Sequence, residues 1–223
     1  MRLTLAIALK DLRAEFRTKE AINASFSFAL VILLLFSFAF DPSEDMIREI
    51  SGGLLWLVFA FASALLLNRS FARELPNDCL DALIAAPVPS AALYLGKALA
   101  NLVLLLAIEA VSFPVFGLFY NVRWTRQFWP LVLVVLLGTW GLTVIGTMFS
   151  ALTVNIRLRE VMLPVLVFPT MIPCLLSAMQ ATSLLVAGEP MAGEVLVWIK
   201  FLIGFDVIFT ALSVALAETV LVG

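Results

Sequence analysis

The sequence predicts an all-α integral membrane protein. It has six transmembrane helices, an amphipathic surface helix before them and one short helix outside the membrane. Three observations predict this class. Of the 223 residues, 63% are hydrophobic and 13% are charged, whereas a soluble domain holds about 45–50% apolar and about 25% charged residues. Mean hydropathy is +1.09. The apolar residues also gather in six windows, and a hydrocarbon core of about 30 Å needs roughly 20 residues per helix.

The elements follow in chain order. In residues 2–20, Leu5, Leu9, Leu12 and Phe16 recur at helical spacing and form one face. Lys10, Arg13 and Arg17 lie mostly off that face, within reach of lipid headgroups. This predicts a surface helix and then a bend into the first span; a basic tail that only orients insertion is the plainer reading. The spans are expected at about 22–40, 53–68, 92–119, 129–150, 161–187 and 195–221. The second is short, and the third and fifth are long enough to tilt or kink. The start does not read as a signal peptide, because the run Leu3 to Leu9 is short and meets Lys10, Asp11 and Arg13.

Orientation follows from lysine and arginine. One set of segments carries Arg2, Lys10, Arg13, Arg17, Lys19, Arg69, Arg73, Lys97, Arg157 and Arg159; the other carries only Arg48, Arg123, Arg126 and Lys200. Both termini are therefore expected in the cytoplasm.

Composition removes several chemistries. With no histidine, this chain offers no His-based acid–base catalysis, no HExxH zinc site and no His-ligated haem. Cys79 and Cys174 are far apart and form no metal knuckle. A net charge of −2 gives no footprint for nucleic acid. Gly52 and Gly53 open no phosphate-binding loop, since no Lys-Ser/Thr follows. Nucleotide energy, if used, is bound by another chain.

The connection at 69–91 is the informative stretch outside lipid. Pro76, Asn77 and Asp78 suit a helix start. Leu80, Leu83 and Ile84 give a small apolar face, and Pro87 and Pro89 stop the helix. A short amphipathic helix clamped between two spans suits docking into a partner's groove; tidying the loop at the interface is the plainer reading.

Three stretches together carry a family resemblance. Arg69, Arg73-Glu74, Leu80-Asp81-Ala82-Leu83, Pro87-Val88-Pro89 and Lys97, in that order, resemble the cytoplasmic coupling segment of the CcmB family, the permease subunits of cytochrome c maturation ABC transporters. Lys10-Asp11-Leu12-Arg13-Ala14-Glu15-Phe16-Arg17 resembles the family's basic N-terminal helix, and Met162-Leu163-Pro164 through Pro169 to Pro173 resembles its proline-punctuated fifth span. The resemblance covers essentially the whole chain. It implies an ABC-2-type permease of the bacterial inner membrane that is not itself an enzyme, with ATP bound and hydrolysed on a separate cytoplasmic ATP-binding cassette subunit. It further implies a haem-handling membrane subunit, a small single-span subunit and a periplasmic haem chaperone as partners, with haem handled by the complex and membrane lipid around it. Haem export and release of the haem-loaded chaperone both remain open. So do an ABC-2 exporter of a lipid, polymer or drug, and a scaffold that transports nothing.

Candidate partner-coupling residues are then Arg73, Glu74, Leu80, Asp81, Leu83, Ile84 and Pro87. Inside the membrane, Glu109 and Asp206 stand out, because an ionised carboxylate at a helix centre costs roughly 2.5–3.5 kcal/mol on insertion scales. They either line a path or pack helices as neutral acids. Pro164, Pro169 and Pro173 each remove an amide donor and free a carbonyl about four residues earlier. Gly138, Gly141, Gly146, Thr143, Thr147 and Ala151 make a small-residue face for helix packing or a subunit interface. Met162, Met171 and Met179 read as packing rather than ligation, and Trp124, Trp129, Trp140 and Trp198 mostly as interface anchors.

Overall fold

The computed structural model describes residues 2–39, 44–75, 79, 83, 87–120, 127–154, 156 and 158–222. Among them the chain is helical throughout: α1 (Arg2–Thr18), α2 (Glu20–Ala39), α3 (Glu44–Asn68), a 3-10 turn (Ala72–Glu74), α4 (Ser90–Phe119), α5 (Phe128–Thr153), α6 (Arg159–Val186) and α7 (Gly193–Val222). Helices α2 to α7 supply six stretches long and apolar enough to cross a membrane. Helix α3 begins well before the window at 53, because Arg48 and Glu49 lower hydropathy without interrupting backbone hydrogen bonding.

The bundle is packed inside out relative to a soluble protein. Helices α3 and α5 are mostly buried, while α2 and α7 lie at the periphery. Phe38, Leu118, Val207, Ile208 and Phe201 point outward, as suits a lipid solvent, and hydroxyls gather inside: Ser25, Thr139, Thr143, Thr147 and Ser177 are buried.

The small-residue face of α5 packs within this chain. A Cβ at Gly138 would overlap the Trp56 indole, and one at Gly146 would overlap Leu67, so α3 lies directly on α5. On another side of the helix, Gly141 meets Cys174 of α6 and Asp206 of α7. Gly52 brings the backbone of α3 onto α6, where its N–H donates to Ser183 Oγ at 3.2 Å. Trp56 Nε1 donates to Thr182 Oγ1 at 2.9 Å across the same pair. Trp140 is an internal tie rather than an interface anchor, donating to Thr210 Oγ1 of α7 at 3.0 Å.

Helix α1 corrects an emphasis of the sequence reading. The apolar stripe of Leu5, Leu9 and Phe16 is there, but it is about half exposed and faces away from the protein. The face against the bundle carries Ile7, Ala8 and Glu15. It lies so close to α4 that a Cβ at Gly96 would meet Ile7 at 2.8 Å and the Thr4 carbonyl at 2.9 Å. The apolar side of α1 is thus free for lipid, and its polar side is free to hold the bundle. Lys19 makes the bend into α2 with a φ of 57°, a left-handed conformation that costs a non-glycine residue about 1–2 kcal/mol.

Candidate functional site

The densest polar arrangement lies where α1, the 3-10 turn and α4 meet. Lys97 sits in α4 between apolar neighbours and is 1% exposed. A buried ammonium must find acceptors, and three are in place: Asp11 Oδ2 at 3.0 Å, the Ser70 carbonyl at 3.0 Å and Glu74 Oε1 at 3.1 Å. The Phe71 ring lies 4.9 Å away on another side. Lys10 closes the figure, with its Nζ 2.6 Å from Glu74 Oε1 and 3.2 Å from Asp11 Oδ1. Two cations and two carboxylates therefore alternate around a ring, Lys10–Asp11–Lys97–Glu74. Burial weakens the Lys10 ammonium, but its bond to Glu74 and the charge of Asp11 outweigh that, and its pKa stands above the ordinary lysine value.

A second tie runs beside the ring. Glu15 is fully buried. Its Oε1 accepts the backbone N–H groups of Ala21 and Ile22, each at 2.9 Å, and so caps the first turn of α2. Its Oε2 pairs with Arg73 of the 3-10 turn. One carboxylate thus joins α1, the start of the first span and the root of the connection at 69–91.

The stretch 70–75 is held from below as well. Phe71 is buried against Ala151 and Val154, with Leu75, Val220 and Leu221 around it. Asn101 Nδ2 donates to Ser70 Oγ and to Thr147 Oγ1, both at 2.9 Å. Ser150 Oγ donates to the Leu67 carbonyl at 2.8 Å. A cavity of about 260 Å³ remains beside the ring, lined by Lys10, Asp11, Ser70, Arg73, Glu74 and Asn101 among others. The arrangement is a mechanical joint: the turn cannot shift without moving α1 and α4 or breaking ion pairs.

The other candidates are distributed as follows. Leu83 is half-buried and Pro87 exposed, while Leu80, Asp81 and Ile84 lie outside the described residues. Cys79 is exposed. Glu109 is 2% exposed and takes the Thr139 hydroxyl of α5, whose Oγ1 is 2.9 and 2.7 Å from its two oxygens. Asp206 is 6% exposed, and among the described residues neither of its oxygens has a hydrogen-bond partner. The two acids are not brought together. They address Thr139 and Gly141, which lie on nearly opposite sides of α5 at about 100° per residue.

Pro164, Pro169 and Pro173 all lie within the continuous helix α6. Its buried stripe is Leu163, Val167, Met171, Cys174 and Ala178. Pro169 and Pro173 are exposed and Pro164 half-buried, so two of the three face outward rather than an internal path. Pro169 borders an apolar surface groove of about 350 Å³ with Trp56, Phe61 and Ile172.

The CcmB protein family matches residues 2–222. The chain belongs to the CcmB family. Similar proteins named "Heme exporter protein B" include one from Rhodobacter capsulatus, 32% identical over 77% of this chain and 78% of its own. That of Paracoccus denitrificans is 32% identical over 85% and 87%, and that of Pseudomonas aeruginosa 28% identical over 96% and 95%. The likeness to CcmB proteins thus covers the surface helix, the joint and the six spans alike. This chain is accordingly a multi-pass membrane subunit of the transporter type.

Within this CcmB-family chain, the sequence pointed to Arg73 and Glu74 but missed what they hold. Asp11, Glu15, Ser70, Asn101, Thr139 and Thr147 were not singled out as site residues. One signal was present: Lys97 lies in the apolar run Leu95-Gly96-Lys97-Ala98-Leu99-Ala100, and a lone cation there demands a partner.

Proposed function

We propose that this chain is the transmembrane subunit of an ABC complex for cytochrome c biogenesis in the bacterial inner membrane, with both termini in the cytoplasm. A separate ATP-binding cassette subunit binds and hydrolyses ATP and engages the segment 74–86. The haem-handling membrane subunit, the small single-span subunit and the periplasmic chaperone complete the complex, and its work is haem export or release of the haem-loaded chaperone. Family membership and the name shared by the relatives support this reading. The orientation is supported by the basic residues Arg2, Lys10, Arg13, Arg17, Arg69, Arg73 and Lys97, which gather toward the α1 end of the bundle.

One observation carries the mechanism: the ring Lys10–Asp11–Lys97–Glu74, with Glu15–Arg73 beside it, fastens the root of the docking segment to α1 and α4. A partner that closes on ATP can bias the permease only through contacts that differ between its states. Displacement of residues 74–86 reaches Glu74 and Arg73 first, then α1 through Asp11 and Glu15, and the spans through Lys97. Arg73 and Glu74 act here as positioning residues, passing force from the engaged segment to α1 and α4.

Deleting the gene tests the assignment. Haem-stained c-type cytochromes are expected to disappear, to return with the wild-type gene, and the tagged protein to co-purify with an ATP-binding cassette subunit. Unchanged cytochrome levels in the deletion strain would overturn it.

A further inference from the structure

A second cavity, of about 400 Å³, opens between α4 and α5 toward the lipid-facing side of the bundle. Its volume falls within the roughly 300–1,000 Å³ of small-molecule sites. Ala110, Pro114, Phe128 and Leu136 on its lining are exposed, and the described residues around it are apolar except for Glu109. At 1.5 Å per residue, Glu109 lies about 15 Å along the helix from the far end of α4, well inside the hydrocarbon layer.

The one polar side chain lining this cavity is Glu109. Both Glu109 oxygens crowd around the single Thr139 hydroxyl, which has one proton to give. Pro114, on the same wall, has no N–H to give the Ala110 carbonyl one turn below it. The wall therefore presents the Glu109 carboxyl group and, on the adjacent residue, a carbonyl without its usual helical amide partner, and none of the described lining residues is a cation. In lipid, each unmet acceptor is costly.

From this we infer that the cavity between α4 and α5 binds a lipophilic primary amine, its ammonium on Glu109 and the Ala110 carbonyl and its apolar body against Phe113, Phe128 and Leu136. An ammonium brings three donors and a full charge, matching both acceptors at once. An aminophospholipid offers the same group but carries its phosphate with it. The apolar wall holds no donor for that phosphate, so the free amine is the favoured source.

The test uses the full-length protein in phosphatidylcholine nanodiscs and a dodecylamine that bears a photoreactive diazirine in its chain. Crosslinks mapped by mass spectrometry are expected on residues 106–114 and 128–136, competed by dodecylamine but not by dodecane or added phosphatidylethanolamine. Glu109→Gln is expected to reduce them about tenfold, the factor that roughly 1.4 kcal/mol of lost charge-assisted hydrogen bonding carries. Ala110→Phe, which fills the mouth and leaves Glu109 in place, is expected to do the same and covers the case in which Glu109→Gln does not fold. Labelling spread evenly over the lipid-facing helices, equal competition by dodecane, or full labelling in both variants would overturn the proposal. Competition by phosphatidylethanolamine alone would overturn the free amine as the source.

Discussion

The chain places its ionisable groups in two ways. At the α1 end, Lys10, Lys97 and Arg73 meet Asp11, Glu74 and Glu15 at close range, drawn from three separate elements. Deep in the bundle, Glu109 has a single hydroxyl and Asp206 has no partner among the described residues. The difference separates two uses of such groups. Charges that satisfy one another across elements hold those elements together, and removing one strands the rest. Solitary acids hold little and stay available for something else.

The sharpest way to break this contrast is at the centre of the ring. Lys97→Met removes the ammonium and leaves Asp11 and Glu74 facing each other, a loss of about 3–5 kcal/mol for a broken buried pair. Thermal unfolding in detergent is expected to shift down strongly. A wild-type midpoint would mean that the ring bears no load.

Glu15 sharpens it further, because one carboxylate does two jobs. Glu15→Ala removes both the cap of α2 and the partner of Arg73, and about 2 kcal/mol is expected to be lost. Glu15→Gln keeps an oxygen for the Ala21 and Ile22 amides and loses only the charge. Its midpoint is expected between those of wild type and Glu15→Ala, and equal values would show that the cap contributes nothing.

The smallest effect belongs to the interior. Asp206→Asn removes no described interaction, and its unfolding midpoint is expected within about 1 kcal/mol of wild type in equivalent stability, or slightly above it. A loss as large as that of Lys97→Met would erase the distinction between the two regions.

Much of the fold was readable because hydropathy and helical period are local properties. Six apolar stretches and the stripe Leu5, Leu9, Phe16 needed only near neighbours to be seen. The working face of α1 was not readable in the same way. Asp11 meets Lys97 across 86 positions and Lys10 meets Glu74 across 64, and periodicity names no partner at such separations. Arg73 and Glu74 were picked for their place in a docking segment, whereas the structure turns them inward to Glu15 and to the ring. The proline pattern of α6 was legible as sequence, but the outward direction of Pro169 and Pro173 depends on which stripe of the helix α3 and α5 bury. Pairing and facing are set by the whole bundle.

The central claim is that force on the docking segment enters the membrane through this joint. Glu74→Gln in the complex purified with the proposed ATP-binding subunit tests it most directly, because the side chain keeps its shape while the ring loses a charge. ATP hydrolysis is expected to continue while the yield of mature c-type cytochrome per ATP falls about tenfold, in line with coupling energies of about 1–3 kcal/mol. A wild-type yield per ATP from an intact Glu74→Gln complex would contradict the account.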